Sequence, residues 1–131
     1  MLNDFEVLDF PKNTSAIYVI VIVKEKKEIP LYVGETARLY GRIGDYGTAN
    51  FKASTDFKVG EAIKYFREKG YKIIIKYKFS DSRNKDENAI IKSFQSQGFR
   101  LLNEMVGYDY RKANEIEERN RIKEFCDKMM F

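Results

Sequence analysis

Residues 16 to 23 read AIYVIVIV, eight apolar positions in a row, most of them β-branched or aromatic. A half-exposed strand alternates with polar residues, so an unbroken run of this kind predicts a strand buried on both faces. The run is far too short for a bilayer, which takes about 20 apolar residues. Further strands and covering helices must come from the rest of the chain.

Two more strands are legible. LYVG, residues 31–34, reads as a short second strand, joined to the first as a hairpin whose loop is the polar stretch from Lys24 to Pro30. YKIIIKYKF, residues 71–79, is an apolar run passing into alternation, bounded by Gly70 and by Ser80-Asp81-Ser82. Between these strands the pattern predicts a helix from Thr36 to Asp45, a polar loop through Thr55, and a helix from Asp56 to Lys69. Val59, Ala62, Ile63 and Phe66 form a stripe on that second helix, a cover for the sheet, and Asp56 suits its start.

After the third strand, residues 84–97 read as a helix capped by Asn84 and stopped at Gly98, followed by the apolar piece FRLLN. The last helix runs from Tyr110 to Met130, laced at four-residue spacing by Glu115 with Arg119, Glu117 with Arg121 and Glu124 with Lys128. Its stripe of Ile122, Phe125, Cys126 and Met129 either closes the core or pairs with a second subunit as a homodimer. The expected fold is α+β: a small three-stranded antiparallel sheet flanked by helices, in one domain over residues 1–131.

Composition narrows the function. With 44% hydrophobic and 15% aromatic residues the chain is an ordered globular protein. A net charge of +4, from 24 basic against 20 acidic residues, leans mildly toward an anionic partner such as nucleic acid. One cysteine, Cys126, excludes an intramolecular disulfide, and the absence of histidine excludes an ordinary structural zinc site and every imidazole-based triad. A cytoplasmic protein with no membrane segment is the expectation, since no signal-like order opens the chain.

Two charges fall on apolar faces. On the first helix Leu39, Ile43 and Tyr46 make the inward stripe, and Arg42 lies within it. On the helix at 84–97, Ile90, Ile91 and Phe94 face inward, and Glu87 precedes them by three, four and seven residues. Charges so placed either snorkel to the rim, pair with each other, or line a polar pocket.

AIYVI at 16–20 and YVG at 32–34, with Arg42 ten residues after Tyr32 and Tyr46 four further on, resemble the GIY-YIG nuclease superfamily. Its later landmarks, a glutamate near a helix start and an asparagine some fifteen residues on, are matched by Glu87 in DENAIIKSF and Asn103 in LLNEM. The resemblance covers a core from residue 16 to 103 and leaves the helix at 110–130 outside it. Ala16 stands for the family's first glycine, the spacing from Tyr18 to Tyr32 is a few residues longer, and Glu35 stands where several relatives carry lysine or a small polar residue.

What the resemblance implies is a divalent-metal-dependent DNA endonuclease. Glu87 holds one Mg²⁺ or Mn²⁺, a hard cation content with a single carboxylate, waters and a phosphate oxygen. Tyr18 and Tyr32 lie near the attacking water, one as general base or its positioning partner. Arg42 sets its guanidinium on the phosphate, Tyr46 hydrogen-bonds phosphate or water, and Asn103 steadies the site. Gly34 leaves room for the substrate. Apart from the resemblance, the basic residues Arg38, Lys52 and Lys58 either track the DNA backbone or are solvated surface. The alternative is a non-catalytic nucleic-acid-binding module on the same fold.

Overall fold

The computed structural model describes residues 5–7, 15–36, 54–80, 83–105 and 114–129. Four strands lie among them: β1 (Glu6–Val7), β2 (Ala16–Lys24), β3 (Lys27–Thr36) and β4 (Lys72–Phe79). All pairings are antiparallel, in the order β1-β4-β2-β3. The expected three-stranded sheet is present as β4-β2-β3, and β1 extends it through Glu6 opposite Tyr77 and Val7 opposite Lys76. A two-residue strand carries no periodicity, so β1 had no signal in the sequence.

The apolar run forms the central strand, and Ala16 to Ile22 are all buried. Its two faces feed two separate cores. Ala16, Tyr18, Ile20 and Ile22 pack with residues of α1 (Ser54–Glu68) and α3 (Glu115–Asp127). Ile17, Val19 and Val21 pack with Phe94 of α2 (Arg83–Ser96). The sheet is thus sandwiched between α1 with α3 on one side and α2 on the other. Each fully buried Ile or Val contributes about 1.5–3 kcal/mol relative to exposure, which makes β2 the main anchor of both layers.

The hairpin corrects one expectation. Its loop is not Lys24 to Pro30 but the two residues Glu25 and Lys26, with Lys24 paired directly to Lys27. The polar residues that suggested a loop instead lie within an edge strand. Pro30 is tolerated there because the register shifts between Ile20 and Val21, leaving Leu31 as an extra residue at a bulge. Glu25 carries the turn at φ 57°, a conformation a side chain resists by about 1–2 kcal/mol. Glu25→Gly is expected to raise stability by about 1 kcal/mol in urea unfolding, after glycine's own entropy loss is subtracted. An unchanged midpoint would mean that the turn carries no strain.

Helices α1 and α2 end alike. Gly70 and Gly98 have φ of 89° and 93°, and each follows its helix by two residues. Tyr71 N–H donates to Phe66 O and Phe99 N–H to Phe94 O, both at 3.1 Å, while Gly70 and Gly98 donate to Arg67 O and Gln95 O. This is the Schellman closure, with its apolar clasp supplied by the Phe66–Tyr71 and Phe94–Phe99 ring pairs. At its other end α2 begins at Arg83, so Asn84 lies inside the first turn rather than at the cap. On α3, Ile122, Cys126 and Met129 are buried and Phe125 packs beside them, so the apolar stripe lies against the core of its own chain. Arg119 meets Glu115 at 2.9 Å, and Arg121 reaches Glu118 at 3.1 Å. No helix among the described residues is long and apolar enough to cross a membrane.

After α2, the described residues up to Met105 go round the β3 edge. Leu101 is buried in the α2-side core, and Leu102 in the opposite core. Neighbouring residues reach opposite faces because the 3₁₀ turn Leu102–Glu104 stands at the edge itself, where the chain passes from one layer to the other. Glu104 steadies the turn: its carboxylate accepts from Leu101 N–H at 2.7 Å, and its N–H donates to Leu101 O at 3.0 Å.

Candidate functional site

Tyr18 and Tyr32 stand on paired strands and point to the same face, their ring centroids 6.3 Å apart and tilted by 46°. The geometry follows from register: Tyr18 pairs with Gly34 and Tyr32 with Ile20, so the rings are diagonal neighbours. Tyr18 is 1% exposed and Tyr32 9%. The space above Gly34 is filled by the Tyr18 ring, since a Cβ on Gly34 would come within 2.3 Å of Tyr18 Cζ and 2.4 Å of its hydroxyl. The glycine therefore makes room for the tyrosine, where the sequence suggested room for substrate.

Asn103 joins this pair from 70 residues away. Its Oδ1 accepts from Val33 N–H at 2.9 Å and its Nδ2 donates to Val33 O at 2.7 Å. Val33 lies between Tyr32 and Gly34, so one side-chain amide pins the whole YVG segment and occupies the open side of the edge strand. Asn103→Leu leaves both backbone groups without that partner and is expected to cost about 1–3 kcal/mol. Hydrogen exchange at the Val33 amide should accelerate together with the loss of stability, and faster exchange with unchanged stability would show that water replaces the asparagine without penalty.

Glu87 comes from the other layer. Ser80 at the end of β4 ties the start of α2 to the sheet: its hydroxyl donates to Asp86 Oδ2 at 2.5 Å, and its carbonyl accepts from Ser15 Oγ at 3.0 Å. The next residue, Glu87, is half-buried. Burial and then the nearby Glu35 carboxylate push its pKa above the ordinary value of 4.5. Glu35 belongs to the α2 side of β3, being two residues beyond Val33 and opposite Ile17. The described residues thus bring together two sets: Tyr18, Tyr32, Gly34 and Asn103 on one, Glu87 with Glu35 on the other.

The other expected residues divide as follows. Arg38, Arg42, Tyr46 and Lys52, with the helix expected at 36–45, lie outside the described residues; Thr36 itself closes β3. Lys58 corrects the expectation of a surface contact to a DNA backbone. It is 8% exposed, and its ammonium donates to Met105 O at 3.4 Å, with burial lowering its pKa. Lys58 precedes Ala62 and Phe66 at four-residue steps, so it falls on the inward stripe, and that spacing was the signal for its burial. A second buried cation went unread: Lys76 on β4 meets Glu28 of β3 at 2.6 Å.

Among the described residues no three His, Cys, Asp or Glu side chains gather into a metal-holding group. Glu87 with Glu35 offers hard oxygen donors that repel each other, a pairing that suits a divalent cation completing its shell with waters and a phosphate oxygen. Comparison of the chain with protein-family models, with curated proteins and with solved structures finds no match.

Proposed function

We propose that this protein is a divalent-metal-dependent DNA endonuclease of the GIY-YIG type, acting in the cytoplasm. The observation that carries the reading is the double hydrogen bond from Asn103 to Val33, which ties the last landmark of the family pattern to the YVG of the second. The paired rings of Tyr18 and Tyr32 and the half-buried, like-charged Glu87 support it. A carboxylate held beside another one stabilises no fold by itself, and it favours turnover over the alternative of a binding module that merely keeps the fold.

In this reading the site straddles the β3 edge. The tyrosine rings rise from one face and Glu87 approaches from the other, and β3 is the last strand on that side among the described residues. Substrate reaching both sets must lie against the strand's outer edge, beside Asn103. Glu87, with Glu35 as its neighbour, would hold Mg²⁺ or Mn²⁺, which when bound supplies charge neutralisation at the phosphate and a more acidic water. Tyr32, the more exposed of the pair, meets the attacking water, and Tyr18 holds Tyr32 and Gly34 in place. Arg42 and Tyr46 take the phosphate as the resemblance implies.

The test is incubation of supercoiled plasmid with the purified chain, in Mg²⁺ and in chelator. Nicking or linearisation that requires the metal and stops on Tyr32→Phe is the expected outcome. If the protein binds DNA but cuts neither DNA nor RNA under any divalent metal, the binding-module alternative takes its place.

A further inference from the structure

Four cations surround the far side of the 3₁₀ turn that carries Asn103. Arg100, Arg121 and Lys128, with Met105, Phe125 and Glu124, line an open cleft of about 250 Å³. Arg100 lies over the Phe125 ring at 5.1 Å, which holds its guanidinium at the mouth. Behind Met105 stands Lys58, buried and bonded to the Met105 carbonyl. Glu118 meets Arg121 at 3.1 Å and Glu124 is in the lining, so two carboxylates oppose the cluster. Among the described residues none comes within ion-pair distance of Arg100, Lys128 or Lys58.

A buried ammonium without a carboxylate beside it is costly, and Arg100 and Lys128, both exposed at one cleft, repel each other, while Arg121 is bonded to Glu118. An anion in the cleft relieves both. Its position is informative: Arg100 is three residues from Asn103, so their Cα atoms are at most about 11 Å apart, and Asn103 touches the edge of β3.

We propose that this cleft binds a backbone phosphate of the nucleic acid whose scissile bond lies at the β3 edge. The inference rests on the nuclease reading and adds to it a contact outside the resemblance: α3, through Lys128, grips the substrate strand a few nucleotides from the cut. Arg100 serves as a forked donor to phosphate oxygens and Lys128 as a mobile point charge, while Arg121 stays bonded to Glu118 and Glu124 limits how deeply an anion enters. The contact carries no sequence information, so its effect is uniform across targets.

The experiment is binding of a fluorescent 30-base-pair duplex to the full chain in chelator, across a salt series, for the parent, Arg100→Gln, Lys128→Gln and Lys123→Gln. All three side chains are exposed, so the fold is retained. Arg100→Gln and Lys128→Gln should each weaken binding roughly five- to tenfold at 0.1 M salt and lower the salt slope by about one unit. Lys123, on the same helix but lining the groove toward α1, is the control and should change little. Plasmid cleavage by the two cleft variants should show a raised KM with kcat kept. Unchanged affinity and slope in a chain that still cuts DNA overturns the cleft and spares the nuclease. An equal loss from Lys123→Gln shows bulk charge at work and also overturns it. A parent chain that binds no DNA removes both readings.

Discussion

Gly34→Ala is expected to lower the unfolding free energy by about 3 kcal/mol, the upper range for inserting a methyl group into a packed interior. The new Cβ would lie 2.3 to 2.7 Å from three atoms of the Tyr18 ring, well inside contact distance. Relief by movement is blocked, because Tyr18 is fully buried on the central strand and Val33, next to Gly34, is pinned by Asn103. For a chain of this size the shift in midpoint should be roughly 10 °C. Tyr18→Ala should by itself cost about 3–5 kcal/mol through the cavity it leaves. Combined, the two should cost less than their sum by about 1–3 kcal/mol, since the methyl then enters the vacated space. Thermal unfolding of the parent, both single variants and the double variant decides this. Strict additivity would show that the ring does not rest on the glycine.

That dependence bears on activity as well. Tyr18 is the floor on which Gly34 and the diagonal Tyr32 ring are set, so the sequence pattern that joins a strand tyrosine to a second strand's glycine has a packing basis apart from any chemistry.

The central architecture was legible because it rests on local pattern. The run AIYVIVIV has no polar face, and it became the strand with a core on each side. Gly98 stopped its helix as expected because only a residue without Cβ takes that φ cheaply. Glu87 was legible as an inward charge from the spacing of Ile90, Ile91 and Phe94, and it is half-buried. The hairpin loop was misread since polarity marks exposure, and an edge strand is exposed along one side; Lys27 and Glu28 are polar yet belong to β3. Lys58 was misread for the converse reason, a charge taken as surface where the four-residue spacing to Ala62 and Phe66 pointed inward. The partner of Asn103 had no local signal at all. Its two bonds span 70 residues, and they arise only because the turn at 102–104 wraps an edge that the sheet order creates.

Glu87→Gln separates the catalytic reading from a structural one, because the two predict opposite signs. As the metal-holding carboxylate its loss should reduce cleavage by at least about 10³-fold, a transition-state loss of roughly 4 kcal/mol. As part of the fold it is a liability: burial and the Glu35 charge disfavour its ionised form. A carboxyl whose pKa is raised on folding leaves the chain most stable below its ordinary value of 4.5 and progressively less so as pH climbs through the raised one. In chelator at pH 7, therefore, Glu87→Gln should unfold at a higher midpoint than the parent, and the gap should close below pH 4.5. Added Mg²⁺ should stabilise the parent by about 1.4 kcal/mol at ten times its dissociation constant and leave the variant unmoved. Calorimetry with and without metal, read beside plasmid cleavage, tests all of it at once. A variant that is inactive and also destabilised in chelator would assign Glu87 to holding α2 against β3, and the metal would have to be sought elsewhere.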